Sequence, residues 1–364
     1  MSQTESGNRT EELVGRLFLG GVAALELLTI HLGRELGLYA ALASSGGATP
    51  PDLATAAGIH PRYAREWLEQ QAAAGLIDVD DVDAAEDARV FTLSAAHAEV
   101  LLDEESMSFL APIGGMLASL GGIIPRLVDA YRDGTGIGFG EYGPYLRDGQ
   151  GAFNRPAFKN ALAEQWIGSG IPALHERFQA DPPAMVLDVG CGYGWSSVAL
   201  AAAYPRIRIL GIDLDEPSIE RAREHARQAG VDDRVTFRVT EAAAPDLRGS
   251  FDAAFVFEAL HDMARPVQVL AQIRAACTDV ATVVIMDERV ADRFTAPADD
   301  VERFMYSASV LHCLPVGMIE QPSAGTGTVM RADTLRRYAT EAGFTEVEIL
   351  PIEHDFFRFY RLAG

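Results

Sequence analysis

Lysine is almost missing from this chain of 364 residues: Lys159 is the only one, and arginine supplies the rest of the 30 basic residues. Against 52 acidic residues the formal charge is −22 at pH 7. A surplus of that sign repels phosphate backbones and argues against nucleic acid as a partner. Cysteine is scarce as well. Cys191, Cys277 and Cys313 lie far apart without a C-x-x-C pair, which excludes a disulfide framework and fits a reducing cytosol. The N-terminal stretch Met1–Glu12 carries acids and no apolar core, so no secretory signal is read there. The uncharged, largely apolar stretch Phe109–Pro125 contains four glycines and two prolines. It falls short of a membrane span and reads as a buried helix or loop. The expectation is a cytoplasmic protein with no membrane partner.

What is present is an ordinary globular composition, 48% apolar and 23% charged, in a chain long enough for two or three domains. The stretch the rest is organised around is Val186-Leu187-Asp188-Val189-Gly190-Cys191-Gly192-Tyr193-Gly194-Trp195-Ser196-Ser197. Ala184–Val189 reads as a short buried strand, the three glycines as a turn, and Ser196 and Ser197 as the first turn of a helix. Glycine permits positive φ and lets a ligand approach bare backbone. The turn presents N–H groups at the positive end of a helix dipole, where an anionic group can sit. About twenty residues on, Ile207–Asp213 is a second strand ending in an acid that can accept hydrogen bonds from ribose hydroxyls. The dinucleotide fingerprint is G-x-G-x-x-G, whereas this loop reads D-x-G-x-G-x-G.

From Ala184 onward strand and helix signals alternate: strands at 207–213, 235–239, 252–257 and 281–287, helices at 217–229, 266–276 and 332–342. Thr345–Pro351 and Phe356–Leu362 then read as a closing hairpin. Such alternation predicts an α/β fold, a mostly parallel Rossmann-like sheet with helices on both faces. Upstream, Glu11–Leu42 reads as one long or broken helix, apolar nearly all round, which must be buried in a core or against another subunit. A homodimer is therefore expected. Ala48–Leu93 has the layout of a winged helix-turn-helix. Thr49 caps a helix ending at Ala57, Pro61 starts a second one running to Ala74, and strand pieces Leu76–Ile77 and Val90–Leu93 flank an acidic tip. Arg62 and Arg65 are balanced there by Glu66 and Glu69, which weighs against DNA. The glycine-rich segment Gly134–Tyr145 lacks the G-K-[ST] ending of a phosphate loop and reads as a lid carrying Tyr142 and Tyr145, or as a plain linker.

The glycine loop, the acid-ended second strand and the final hairpin together resemble the class I S-adenosylmethionine (SAM)-dependent methyltransferases. With the winged helix in front, the chain looks like the small-molecule O-methyltransferases of that class. The resemblance implies a seven-stranded sheet, mostly parallel with its last strand antiparallel. It also implies three regions: a winged-helix dimerisation domain at 1–100, a helical connector and lid at 101–180, and a SAM-binding domain at 181–364. An insertion at 288–330 within the last would roof the acceptor pocket together with Phe109–Ile124. It assigns the methionine part of SAM to Gly190, Gly192 and Gly194, with Asp188 orienting the loop or reaching the ammonium group. Asp213 would take the ribose hydroxyls and Leu214 would pack on adenine. Glu241 stands where the family has an aspartate on the adenine amine, with Ala242 beside it, and Phe257 is counted with the cofactor contacts. S-adenosylhomocysteine is the implied product.

The strand Phe251–Phe257 runs into Leu260-His261-Asp262, which resembles the catalytic histidine motif of the phenol-directed members. His261 would take the proton of an acceptor hydroxyl as a general base, with Asp262 orienting its ring. The other role open to it is structural, as a cap or a brace for the SAM loop. His312-Cys313 has no companions at ligand spacing in the sequence, and no metal is expected. The function read is transfer of methyl from SAM to a small, mostly apolar or aromatic acceptor, most simply at oxygen. Two rivals remain: a winged-helix regulator whose sheet domain senses SAM without catalysis, and a nicotinamide-dependent oxidoreductase, disfavoured by loop spacing and hairpin.

Overall fold

The structure is a computed structural model describing residues 3–244 and 250–364, the side chains of 3–7 excepted. Met1 and Ser2, at the head of the polar N-terminal stretch, lie outside the described residues. The chain divides into two compact units, Met1–Gly121 with Asp148–Pro156, and Gly122–Arg147 with Ala157–Gly364.

The first unit opens with helix Gln3–Glu35, followed by helix Leu38–Ser45. The break falls at Gly37, whose φ of 66° ends one helix and starts the next. The long helix begins eight residues earlier than the apolar pattern does, because polar residues with acids among them suit a helix N-terminus. Its apolar residues were expected to be buried. Within the single chain most are not: Leu13, Leu17, Phe18, Leu19 and Leu25 are all about half exposed or more. This helix, from Asn8 to Glu35, and helix Pro112–Asp133 are long and apolar enough to cross a membrane by length and composition.

The winged module follows the sequence closely. Helix Pro50–Ala57 starts at Thr49, whose hydroxyl accepts from the Asp52 N–H while the Asp52 carboxylate takes the Thr49 N–H. Helix Pro61–Ala73 is capped by the His60 ring. The wing is a two-stranded pair, β1 (Asp78–Val79) and β2 (Phe91–Thr92). β1 lies two residues beyond the expected Leu76–Ile77, since Leu76 still bonds back to the Gln71 carbonyl and Ile77 goes into the core. That core gathers Leu38, Tyr39, Leu42, Leu53, Trp67 and Leu68.

The second unit is built on seven strands: β3 (Met185–Val189), β4 (Arg208–Asp213), β5 (Val235–Val239), β6 (Phe251–Phe257), β7 (Cys277–Glu288), β8 (Glu346–Ile349) and β9 (Phe357–Ala363). Their order is β5-β4-β3-β6-β7-β9-β8. The first five are parallel, and β9 runs antiparallel to both β7 and β8. β7 begins four residues before the expected start because Cys277 already pairs with Phe251, ahead of a register shift. Each face carries its own core, with Phe255, Ile209 and Val186 on one side and Leu187, Val256 and Ile285 on the other. Complete burial of a side chain such as Phe255 contributes about 2–3 kcal/mol. Since β3 and β6 are adjacent and parallel, the glycine loop and the His261 turn emerge at the same, carboxyl, end of the sheet.

Candidate active site

The glycine loop leaves β3 and enters helix Trp195–Ala203. Gly190, Gly192 and Gly194 have φ of 71°, 49° and 72°, so all three occupy the left-handed region. They differ in what surrounds them. A Cβ at Gly190 would stand 2.6 Å from the Ala259 methyl, and one at Gly194 would stand 2.6 Å from the Phe237 ring. At Gly192 a Cβ would meet nothing within 4 Å. The outer glycines therefore let the loop seat against the sheet and the next helix, and the middle one leaves open room above the backbone.

Asp188 is buried at the end of β3, and its Oδ2 accepts the hydroxyls of Ser196 and Ser197, each at 2.6 Å. Of the two roles read for it, its bonds are those of a loop-orienting residue. Burial raises its pKa, partly offset by the two serine bonds. Asp213, at the end of β4, accepts the Gly192 N–H on Oδ2 and the Asp215 N–H on Oδ1, both at 2.9 Å. Its pKa is also raised by burial, against those backbone bonds. Leu214, the next residue, is 62% exposed and offers an apolar surface. Glu241 and Ala242 lie in the turn after β5, where the Thr240 N–H bonds to the Asp213 carbonyl. Phe257 is buried, its ring 5.1 Å from Phe255 and 5.5 Å from Phe158. Asp215 is held by Arg147 through two bonds of 2.6 and 3.0 Å, and Arg147 lies over the Phe139 ring. The glycine-rich segment is thereby tied to the end of β4, beside Asp213.

The turn after β6 holds the second group. Glu258 has φ of 51°, the only non-glycine with positive φ among the described residues. Strain of this kind is retained where a side chain must be aimed. Three residues on, His261 is 2% exposed. Its Nδ1 faces Asp287 Oδ1 at 2.9 Å and Glu288 Oε2 at 3.1 Å, both from the end of β7, and its Nε2 faces Asp262 Oδ1 at 3.3 Å. Burial by itself would lower the imidazole pKa, but Asp287, Glu288 and Asp262 outweigh it and hold it well above 6.5. The three carboxylates therefore favour the charged form of the ring. Glu288 is pushed up by burial and by Asp287, against the opposing pull of His261.

The 288–330 insertion packs onto this turn. Gly327 N–H bonds to the His261 carbonyl and Ala324 N–H to the Ala264 carbonyl. Tyr131 and Tyr142 donate their hydroxyls to the carbonyls of Val310 and Leu311, each at 2.9 Å. The Tyr142 ring meets the His312 ring edge-on at 4.6 Å, and Tyr145 is exposed. His312 and Cys313, isolated in sequence, come close enough in space to interact electrostatically with His261 and Asp262. Sequence reasoning missed Asp287, Glu288, Arg147 and Asp215. The first two had a legible signal, adjacent acids at the carboxyl end of the strand beside the histidine motif.

Residues 181–336 match the family model of a methyltransferase domain, and residues 23–102 match that of an Rv2258c-like winged HTH domain. Among solved structures, the mitomycin 7-O-methyltransferase MmcR aligns with 99% of both chains at a TM-score of 0.70 and 20% identity. Human N-acetylserotonin methyltransferase in complex with SAM aligns with all of both chains at 0.65 and 16%. By sequence, the 27-O-demethylrifamycin SV methyltransferase of Amycolatopsis mediterranei (strain S699) is 39% identical over 79 residues, 21% of this chain. The ubiquinone biosynthesis O-methyltransferase of Methylococcus capsulatus is 39% identical over 97 residues, 26% of this chain. These matches span only 29% and 38% of the two relatives' own lengths.

Proposed function

We propose that this chain, which has the class I SAM-dependent methyltransferase fold behind a winged-helix domain, methylates a small acceptor at oxygen with His261 as general base. The observation that carries the reading is the shared end of β3 and β6, where an open glycine loop and a carboxylate-held histidine emerge side by side. The loop residues fit the cofactor: Gly192 leaves free space above its backbone, and the Asp213 carboxylate lies beside it. Gly190, Gly192 and Gly194 would hold the methionine part, Asp213 the ribose, and Leu214, Glu241 and Ala242 the adenine. Asp188 would fix the loop from below, and Phe257 would close its floor. When bound, SAM supplies an electrophilic methyl group on a sulfonium.

The chain's own work is alignment and proton removal. Asp287 accepts from Nδ1 and fixes the ring, leaving Nε2 as the nitrogen that takes the acceptor's proton. Asp262 lies on that second nitrogen and steadies the charge that forms there. The aromatic and apolar residues of the insertion, Phe294, Phe304 and Val310, are exposed and suit a roof over an aromatic or apolar acceptor. Alignment in such a pocket contributes up to roughly 7–11 kcal/mol in favourable cases. The test is His261→Ala, expected to lower turnover about a hundredfold or more while calorimetric SAM affinity stays nearly constant. An unchanged rate rules the base role out.

We also infer a homodimer formed through helix Gln3–Glu35, whose apolar residues Leu17, Phe18, Leu19 and Leu25 stay exposed among the described residues. The regulator reading is disfavoured by the winged module's own ion pairs: Arg62 pairs with Glu66, Arg65 with Glu86, and Arg89 with Glu69 at 2.6 Å. Arginines engaged in this way have little left for phosphate, and a mobility shift at low salt would reverse the judgement.

A further inference from the structure

We propose that His261, Asp287 and Glu288 form a site for a divalent transition metal of the zinc type, and that filling it withdraws His261 from catalysis. The first half stands by itself; the second rests on the base role proposed above. Nδ1 of His261 lies 2.9 Å from Asp287 Oδ1 and 3.1 Å from Glu288 Oε2, and the three donor atoms fall within 4.8 Å of one another. Donors bound at zinc distances stand about 3.0–3.5 Å apart, so a small inward shift of the ion's ligands completes the set. Imidazole with two carboxylates is a donor set that zinc, cobalt and manganese accept.

Charge and unfilled hydrogen-bonding capacity point the same way. All three side chains are more than nine-tenths buried, and Asp287 Oδ2 has no hydrogen-bond partner. Among the described residues no arginine or lysine pairs with either carboxylate, and the imidazole is their shared cationic partner. A divalent ion would give the two buried carboxylates and the ring one common partner. On the far side of the ring Nε2 faces Asp262 Oδ1 at 3.3 Å, and a carboxylate in that place suits a histidine that ligates through its other nitrogen. Beyond it stands His312, buried with Nε2 unpartnered and electrostatically coupled to both Asp262 and His261.

The exchange balances simply. The ion takes Nδ1 in place of the proton directed at Asp287, and the neutral ring then carries its single proton on Nε2, towards Asp262, while the second proton of a charged ring leaves to solvent. A ring in that state has no lone pair for an acceptor hydroxyl, so methyl transfer stops.

The experiment is equilibrium dialysis of the full-length, cofactor-free protein against zinc chloride, with cobalt chloride as the spectroscopic probe. The expected result is one equivalent bound, a cobalt d–d spectrum without a thiolate charge-transfer band, and at least tenfold weaker binding in Glu288→Gln and Asp287→Asn. Cys313→Ser should bind as the parent does. Substoichiometric binding, or a thiolate band placing the ion on His261, Asp262 and Cys313, overturns the site; the band needs no variant to fold. Full occupancy with methyl transfer undiminished would leave the site standing and overturn the second half together with the base role of His261.

Discussion

At the scale of single residues, the environment of His261 decides how the site should respond to pH. A base must be neutral to act, and three neighbouring carboxylates hold this ring's pKa above the ordinary value. The alkaline side of neutrality is therefore where activity should rise. In metal-free protein, kcat/KM is expected to climb with a midpoint clearly above about 6.5, and replacing Asp262 by Asn should draw that midpoint down. A midpoint at or below the ordinary histidine value would mean that the titrating group is not this one. Asp188 makes a different contribution. Its carboxylate is the partner of two buried serine hydroxyls, so Asp188→Ala strands both. Each orphaned group costs about 1–3 kcal/mol, and weaker SAM binding in calorimetry should accompany the lowered melting temperature.

At the scale of elements, local chemistry explains why so much was legible. Thr49, Asp52 and the flanking prolines mark a helix start in any context, and Thr49→Ala should cost about 0.5–2 kcal/mol in denaturant unfolding. Gly194→Ala should be harsher, about 1–3 kcal/mol or more, because a left-handed backbone and the Phe237 ring both oppose a methyl there. The strand and helix pattern from β3 to β9 could be read because each strand carries its own apolar run between polar turns. The wing strand β1 could not, since two residues of pairing leave no periodicity to detect. The site was half legible for a related reason. The loop glycines and the Leu260-His261-Asp262 turn are contiguous motifs. Asp287 and Glu288 become partners of His261 only through the side-by-side pairing of β6 and β7, which spacing along the chain does not reveal. His312 and Cys313 illustrate the same limit, being remote in sequence and adjacent in space.

For the molecule as a whole, the buried acids set the sign of its pH stability. Asp188 and Asp213 have raised pKa values in the folded state, so the fold binds their protons more tightly than the unfolded chain does. Their contribution is therefore lost as pH climbs past the ordinary carboxylate value. Asp215 works in the opposite direction: its pKa is lowered, burial being outweighed by Arg147 and Ser218, and its contribution disappears in acid. Thermal scans should show the melting temperature declining as pH rises past the ordinary carboxylate value of about 4, and Asp188→Asn should flatten that decline. The exposed helix Gln3–Glu35 gives a further whole-molecule expectation. Leu17→Glu with Phe18→Glu should leave the fold intact by circular dichroism and halve the mass seen by light scattering. A parent protein that is already monomeric would remove the dimer.

The strand order also bears on how this site is assembled. β7 carries both acids that flank His261, and its outer neighbour is β9, a strand the chain reaches only after the 288–330 insertion and β8. That edge of β7 closes only when a segment remote in sequence returns to it, so the surroundings of His261 depend on longer-range pairing than the glycine loop between β3 and its helix does. Any lesion that keeps β9 from docking would leave β7 with a bare border, open to adhesion with other copies, right beside those acids.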